Sequence, residues 1–320
     1  MTDTRSIPVP PEKAPPFLRK VLLKTLLITV FAALTVIVSF IPGKTEISEK
    51  SVYLTAVVLM WIYFIAKTVS VKGENHPDIA LMIFGALILW EVLFRILNAG
   101  NPVFEPPLEN VFQVFWNDRQ LILQGIGHSL FILGAGFSIA LVLGNVLGLI
   151  VGWFKRLNDD FTPIAKVLSP IPPMVYTPYL IALLPNFTTA SIAVIGFGMF
   201  WPTFLGMINR VNSMNTRIID SAKVMNVSTL TMLFRIILPY NIPAIVGTLK
   251  IQLSTIFMIL IMAEMIGATS GLGFFIKKYS DYADYTRVMA GIIVIGVVIT
   301  VLNVLADAAE KKLIRWSNAQ

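Results

Sequence analysis

Few residues in this chain have the types and spacing that chemistry requires. Cysteine is absent and histidine occurs twice, as His76 and His128. That removes thiolate metal sites, a cysteine nucleophile and a disulfide framework together. The two histidines lie far apart with no acidic cluster beside either, so no metal centre is expected. Gly43-Lys44-Thr45 looks like the end of a phosphate-binding loop, but the glycine required five positions earlier would be Val38. The stretch also follows an apolar run, not a strand. No nucleotide site is therefore expected in this chain. A membrane-embedded enzyme would have neither a metal cluster nor a nucleophile–base pair to work with.

Charges inside the apolar runs are few. Glu91 and Arg95 are one helical turn apart and can pair on one face, so a structural ion pair is expected. Lys250 lies in the cytoplasmic third of its run and is long enough to snorkel to the interface. Glu264, in Met262-Ala263-Glu264-Met265, is the sharpest candidate, because an intramembrane carboxylate marks a functional site by default. Gly267, Gly271 and Gly273 follow it. Two roles stay open for Glu264: a gate, or a structural group bonded to loop amides. His128, beside Gly127 and Ser129, reads as a polar cap at a helix start, and His76 as a loop residue.

The elements that hold these groups are set by composition. Of 320 residues, 56% are hydrophobic and 13% charged, against about 25% charged in a soluble domain. The mean hydropathy is +0.78. This is an integral membrane protein, and the formal charge of +7 reports loop orientation before it reports any nucleic acid. A crossing helix needs about 20 apolar residues. Candidate spans are roughly 21–41, 52–70, 79–97, 128–153, 163–184, 190–209, 237–264 and 287–307. Backbone groups in lipid must be satisfied within the segment, and no alternating strands suggest a barrel, so these are helices. Residues 109–126 read as an interfacial segment before the fourth crossing.

The N-terminus is polar and proline-rich over residues 1–16, and the apolar run after it is too long for a signal peptide. Residues 1–18 are expected to be a cytoplasmic tail, and the chain to sit in a bacterial or archaeal plasma membrane. With eight crossings and both termini cytoplasmic, the inside receives Arg19, Lys20, Lys24, Lys155, Arg156, Arg210, Arg217, Lys223, Arg235, Lys311, Lys312 and Arg315, among others. The outside receives Lys44, Lys50, Arg119, Lys277, Lys278 and Arg287. A soft boundary near residue 75 separates a two-helix leader, 19–75, from six spans in 76–320.

Three local patterns add detail. Gly144, Gly148 and Gly152 repeat every four residues and form a small-residue helix face for close packing, either within the chain or at a subunit or gate seam. Ser169-Pro170-Ile171-Pro172-Pro173-Met174-Val175-Tyr176-Thr177-Pro178 breaks a helix. Broken backbone at membrane depth lines protein or a water-filled path, which makes Pro172, Pro173 and Tyr176 pathway candidates; a turn at the cytoplasmic surface is the other reading. Finally, 219–239 is a polar island between spans. Ile218, Ile219, Ala222 and Met225 fall at helical spacing opposite Asp220, Ser221 and Lys223, an amphipathic helix suited to lipid or to a groove on a partner. Asn226 suits its end, because Asn tolerates the left-handed conformation.

The spacing of that island resembles the coupling motif of ABC-importer permeases: Asp220-Ser221-Ala222, a small residue at Asn226, then Ile236-x-Leu238-Pro239. From about residue 80 to 316 the chain is similar to the nitrate/sulfonate/taurine/bicarbonate class. The similarity rests on His128-Ser129-Leu130 with Gly136-Phe137, Gly144 to Gly152, Pro170-Ile171-Pro172-Pro173, the coupling segment, and Ala263-Glu264-Met265-Ile266-Gly267 continuing through Gly271-Leu272-Gly273. Leu313-Ile314-Arg315-Trp316 closes it. The motif usually opens with Glu and carries Gly where this chain has Asp220 and Asn226. The residues 184–189 also replace a stretch that is usually Phe-Gly.

The resemblance implies an all-α, polytopic helical bundle, a type I importer (MetI-like) core of six helices preceded by two extra transmembrane helices. It implies a coupling helix near 216–229 that docks on cytoplasmic ATPase subunits through Ile219, Asp220, Ala222, Met225 and Asn226. ATP and magnesium would be bound by that ATPase. An extracytoplasmic solute-binding protein, served by Glu264, Gly267, Gly271 and Gly273 at an outer gate, and a second permease copy complete the expected assembly. A secondary transporter or channel working without an ATPase is the alternative.

Overall fold

The computed structural model describes residues 16–43, 47, 49–70, 75–101 and 103–313. The expected tail lies almost wholly outside them, as do Lys44-Thr45 and Ile314-Arg315-Trp316. No strand occurs among the described residues. The chain forms two compact units, residues 1–117 and 118–320.

In the first unit, α1 (Pro16–Ser39), α2 (Ser51–Ser70) and α3 (Asn75–Glu91) are apolar helices, with α3 continued by a π-helical turn over Val92–Ile96. The short α4 (Leu108–Asn117) closes the unit. Its core is Ile28, Tyr53, Val57, Phe64, Ala80, Phe84 and Leu108. Ala80 and Phe84 belong to α3, so α3 packs with the leader helices. The compact units therefore part at Asn117, not near residue 75.

The second unit begins with α5 (Arg119–Trp153), then α6 (Lys155–Leu168), α7 (Pro173–Leu183) and α8 (Phe187–Asn212). The polar α9 (Thr216–Val224) follows. After it α10 (Thr229–Thr231), a π-helical stretch Met232–Ile237 and α11 (Leu238–Gly267) run on as one helix. The unit ends with α12 (Leu272–Asp281) and α13 (Tyr285–Leu313).

Seven helices among the described residues are long and apolar enough to cross a membrane. Two expectations change. The segment expected over 109–126 is not one interfacial piece: its first part is α4, and residues 119–126 are the first turns of α5, whose 35 residues span about 52 Å at 1.5 Å per residue. The run 163–184 is not one helix. Residues 169–172 interrupt it, because Pro172 and Pro173 supply no N–H to continue the ladder. Polar α6 lies before the break and the 11-residue apolar α7 after it. The prolines thus form a turn at the start of α7, with Pro173 at the first helical position, where its missing donor costs nothing.

The glycine face on α5 is an intrachain seam against α8. A Cβ on Gly144 would stand 2.9 Å from Thr203, on Gly148 2.7 Å from the Phe204 carbonyl, and on Gly152 2.9 Å from Val211. Gly136 extends the same face toward Ile195. Only glycine allows the two backbones to approach this closely over four turns.

Candidate functional site

The polar island folds as expected in kind and differently in direction. Asn215 caps α9 by accepting the Arg217 N–H at 3.0 Å. At the other end Asn226 takes φ +53°. Its N–H donates to Lys223 at 2.9 Å, and that of Val227 to Ala222 at 3.3 Å. These two bonds are the Schellman pattern, completed by Val227 packing in the same cluster as Ala222. Asn226 is therefore the residue that ends the helix.

Ile218, Ile219 and Ala222 do not form an outward groove-filling face. They pack inward on Leu149, Met207, Val211, Met214, Met232, Leu233 and Ile237, and Ala222 is 2% exposed. Met225, the last residue before the left-handed turn at Asn226, is not covered by that cluster. Met225 is 70% exposed and Val224 83%, with Asp220, Ser221 and Lys223 also exposed. What α9 presents outward is thus a polar ridge ending in two large apolar side chains. The buried face bolts α9 to α8 and to the start of the 229–267 helix.

That junction carries its own irregularity. Pro239 has no N–H for the carbonyl of Arg235, and the backbone absorbs the gap with the π stretch, in which Leu238 N–H reaches Leu233 instead. Asn241 is buried nearby and donates to the Ile237 carbonyl at 2.8 Å.

At the opposite end of that 39-residue helix lies Glu264, 1% exposed. Its Oε1 accepts the Ser129 hydroxyl at 2.7 Å and its Oε2 accepts the Gly273 N–H at 2.7 Å. The Ser129 oxygen in turn accepts the Leu272 N–H at 3.0 Å. Leu272 and Gly273 are the first residues of α12, so the carboxylate caps that helix and favours its dipole. Gly271, at φ +117°, makes room, since any Cβ there would overlap the Glu264 carboxylate. Gly273 is pressed against Ile261 and Glu264 in the same way, and Gly267 lies beside Ile181 and Phe187.

Of the two roles open for Glu264, this geometry fits the structural one: a knot joining α5, α11 and α12. Ser129 is its essential partner, and sequence reasoning placed the polar role one residue away, on His128. Beside the knot is an open cavity of about 390 Å³ lined by Met265, Ile266, Phe274, Lys277, Lys278 and Tyr282 among others. Lys277 is paired with Asp281.

The remaining candidates divide. Tyr176 packs edge-on against Phe197 of α8, centroids 5.5 Å apart, and Pro173 sits where a Cβ on Gly198 would come within 2.7 Å. Both therefore hold α7 against α8. Glu91 and Arg95 pair as expected, Nε to Oε2 at 2.7 Å. Sequence reasoning missed Glu109, which takes the other side of the same guanidinium. Lys250 does not simply snorkel: it pairs with Asp307 of α13 at 2.8 Å. Among the described residues no three metal-ligating side chains cluster.

These features define a polytopic α-helical membrane protein with an exposed polar helix at one end of its longest spanning run and a capped carboxylate knot at the other. The chain belongs to the family described as the binding-protein-dependent transport system inner membrane component, whose sequence model matches residues 144–316. It is 25% identical over 238 residues to a putative aliphatic sulfonates transport permease, SsuC, of Bacillus subtilis, covering 73% of this chain and 85% of that one. It is 27% identical to the taurine transport permease TauC of Escherichia coli, covering 72% and 85%. With the nitrate import permease NrtB of Synechocystis it shares 26% identity, covering 74% and 90%. A solved chain of the MetNI methionine ABC transporter, inward facing, overlays 63% of this chain and 97% of its own at TM-score 0.48 and 19% identity.

Proposed function

We propose that this permease works in an ATP-driven importer for a small anion of the nitrate, sulfonate/taurine or bicarbonate kind. Cytoplasmic ATPase subunits, which bind the ATP and magnesium, dock on the outward face of α9. An extracytoplasmic binding protein delivers solute at the α11–α12 end, and a second permease copy completes the path. Both termini lie in the cytoplasm.

The observation that carries this reading is α9 itself. It is capped at both ends and fixed to the bundle by Ile218, Ile219 and Ala222, yet it leaves Val224 and Met225 uncovered. A rigid, exposed helix of this kind transmits a push, where a frayed loop would absorb it. Arg210, Arg217, Lys223 and Arg235, in and beside α9 in sequence, are the kind of residues that the positive-inside rule expects at a cytoplasmic face. Nucleotide acts by favouring one of two conformations, which requires differential affinity for them. The substrate class rests on what the relatives are named for.

Copurification from native membranes tests the reading. An ATPase subunit should be retained with the tagged permease, and the reconstituted complex should hydrolyse ATP faster when loaded binding protein is present. Solute uptake into liposomes by the permease alone, without ATP, would contradict it.

A further inference from the structure

Residues 154–186 contain a membrane crossing that no single helix makes. In the glycine seam Gly136 meets Ile195, Gly144 meets Thr203, Gly148 meets Met207 and Gly152 meets Val211. Both numbers rise together, so α5 and α8 run in the same direction. Each is long and apolar enough to span. The chain between them must therefore return across the bilayer, and that return consists of α6, the break at 169–172 and α7.

The register against α8 sets the depth of the break. Asn158, near the start of α6, donates to Asn212, the last residue of α8, at 2.7 Å. Pro173, the first residue of α7, packs on Gly198, and Tyr176 on Phe197. Ile181 and Phe187 meet at the far end, both beside Gly267. The break therefore lies about 21 Å from the Asn212 end of α8 and about 16 Å from its Phe187 end, at 1.5 Å per residue. The 26 residues of α8 reach about 39 Å and the hydrocarbon core is about 30 Å thick. Whichever end of α8 overhangs, the break is inside the core.

Backbone at that depth needs hydrogen-bond partners. The carbonyls of Lys166 and Ser169 have no donor one turn on, because residues 170 and 173 are prolines, and residues 170–172 are exposed. Lipid cannot satisfy such groups; water can. On α6, Lys155, Asp159, Thr162, Lys166 and Ser169 recur at helical spacing as one polar stripe, running from the Asn212 level up to the break. Lys155, Asp159 and Lys166 are exposed and form no ion pair among the described residues. Unpaired charges suit water far better than a protein interface. Ile164 and Val167, 47% and 67% exposed, lie on the other flank of α6, which suits lipid. We propose that the α6 stripe and the 169–172 break line a water-filled vestibule that opens on the α9 side and reaches the middle of the membrane. As the route by which solute leaves, the vestibule rests on the transport reading; as a hydrated surface it does not.

Single cysteines test this directly in a chain that has none of its own. Lys166→Cys and Ser169→Cys on the stripe are compared with Ile164→Cys and Val167→Cys on the flank. Each full-length permease is labelled in inverted vesicles with a charged, membrane-impermeant methanethiosulfonate. The stripe thiols should react roughly ten times faster or more, since only a hydrated thiol ionises to the reactive thiolate. Reaction at Ser169→Cys should also block ATP-driven uptake. Stripe thiols that react no faster than flank thiols would overturn the proposal, whether lipid or a second copy covers them. Fast reaction at 166 with none at 169 would overturn it too, because the break would then be dry. Fast reaction at both with uptake undiminished would overturn the vestibule as the solute route. An unlabelled permease that shows no ATP-driven uptake counts against the transport reading instead, and the labelling contrast still decides whether the vestibule is wet.

Discussion

Ser129 on α5 and Glu264 on α11, 135 positions apart in sequence, meet at 2.7 Å, and together they accept the first two N–H groups of α12. The carboxylate is thus part of the scaffold that holds the α11–α12 turn. Glu264→Ala strands the Gly273 N–H and leaves Ser129 without its acceptor. It should destabilise the protein by about 2–5 kcal/mol, since each buried orphan costs about 1–3 kcal/mol. Glu264→Gln keeps an acceptor and should cost less. Melting in detergent measures both; two variants as stable as the parent but unable to transport would restore the gating role.

Ala222 and Met225 lie on one expected helix face but have opposite environments. Ala222→Asp puts a charge into the cluster around Met207 and Ile237 and should unfold the α9 end, at a cost of about 3 kcal/mol or more. Met225→Glu should leave stability unchanged within about 0.5 kcal/mol yet abolish ATPase stimulation by loaded binding protein. The comparison needs one melting curve and one phosphate-release assay per variant.

Asn226 at φ +53° predicts an inversion of the usual helix preference. Asn226→Gly should be neutral or slightly stabilising. Asn226→Val should lose about 1–2 kcal/mol, because a β-branched side chain tolerates the left-handed conformation far less well than asparagine does. Equal melting temperatures would mean that α9 does not end where the Schellman bonds place it.

On α5, Gly148→Ala and Gly134→Ala make a matched pair. A methyl at 148 meets the Phe204 carbonyl and Met207, whereas at 134 it meets nothing within 4 Å. The first should destabilise by about 1–3 kcal/mol through overpacking. The second should be neutral or gain up to about 1 kcal/mol from helix propensity. Proteolysis in detergent ranks the two directly.

The sequence made local features legible and distant pairings illegible. Asn226 as a helix end and Glu91–Arg95 as a pair follow from spacing alone, and the capping option for Glu264 follows from the glycines after it. Ser129, Glu109 and Asp307 were not readable as partners, because each meets its target across a connection whose length carries no geometric information. The Met225 direction was misjudged for a different reason. A helical wheel puts Met225 on the Ala222 face, but at the last position of α9 the packing that covers Ala222 does not reach it, and Met225 is 70% exposed. The break at 169–172 was visible in the prolines, but its depth depends on how short α7 is. Likewise the grouping of α3 with the leader depends on Ala80 and Phe84 packing that hydropathy does not encode.

The central claim is that α9 is a cytoplasmic docking helix whose outward tip is Val224 and Met225. The chain contains no cysteine, so a Met225→Cys variant labels at one site with no further engineering. The decisive measurement is its reaction with a membrane-impermeant maleimide in right-side-out and inverted vesicles, with and without the ATPase subunit bound. The account predicts labelling only in inverted vesicles, lost when the ATPase is present. Labelling from the outer face, or labelling that the ATPase leaves unchanged, would contradict it.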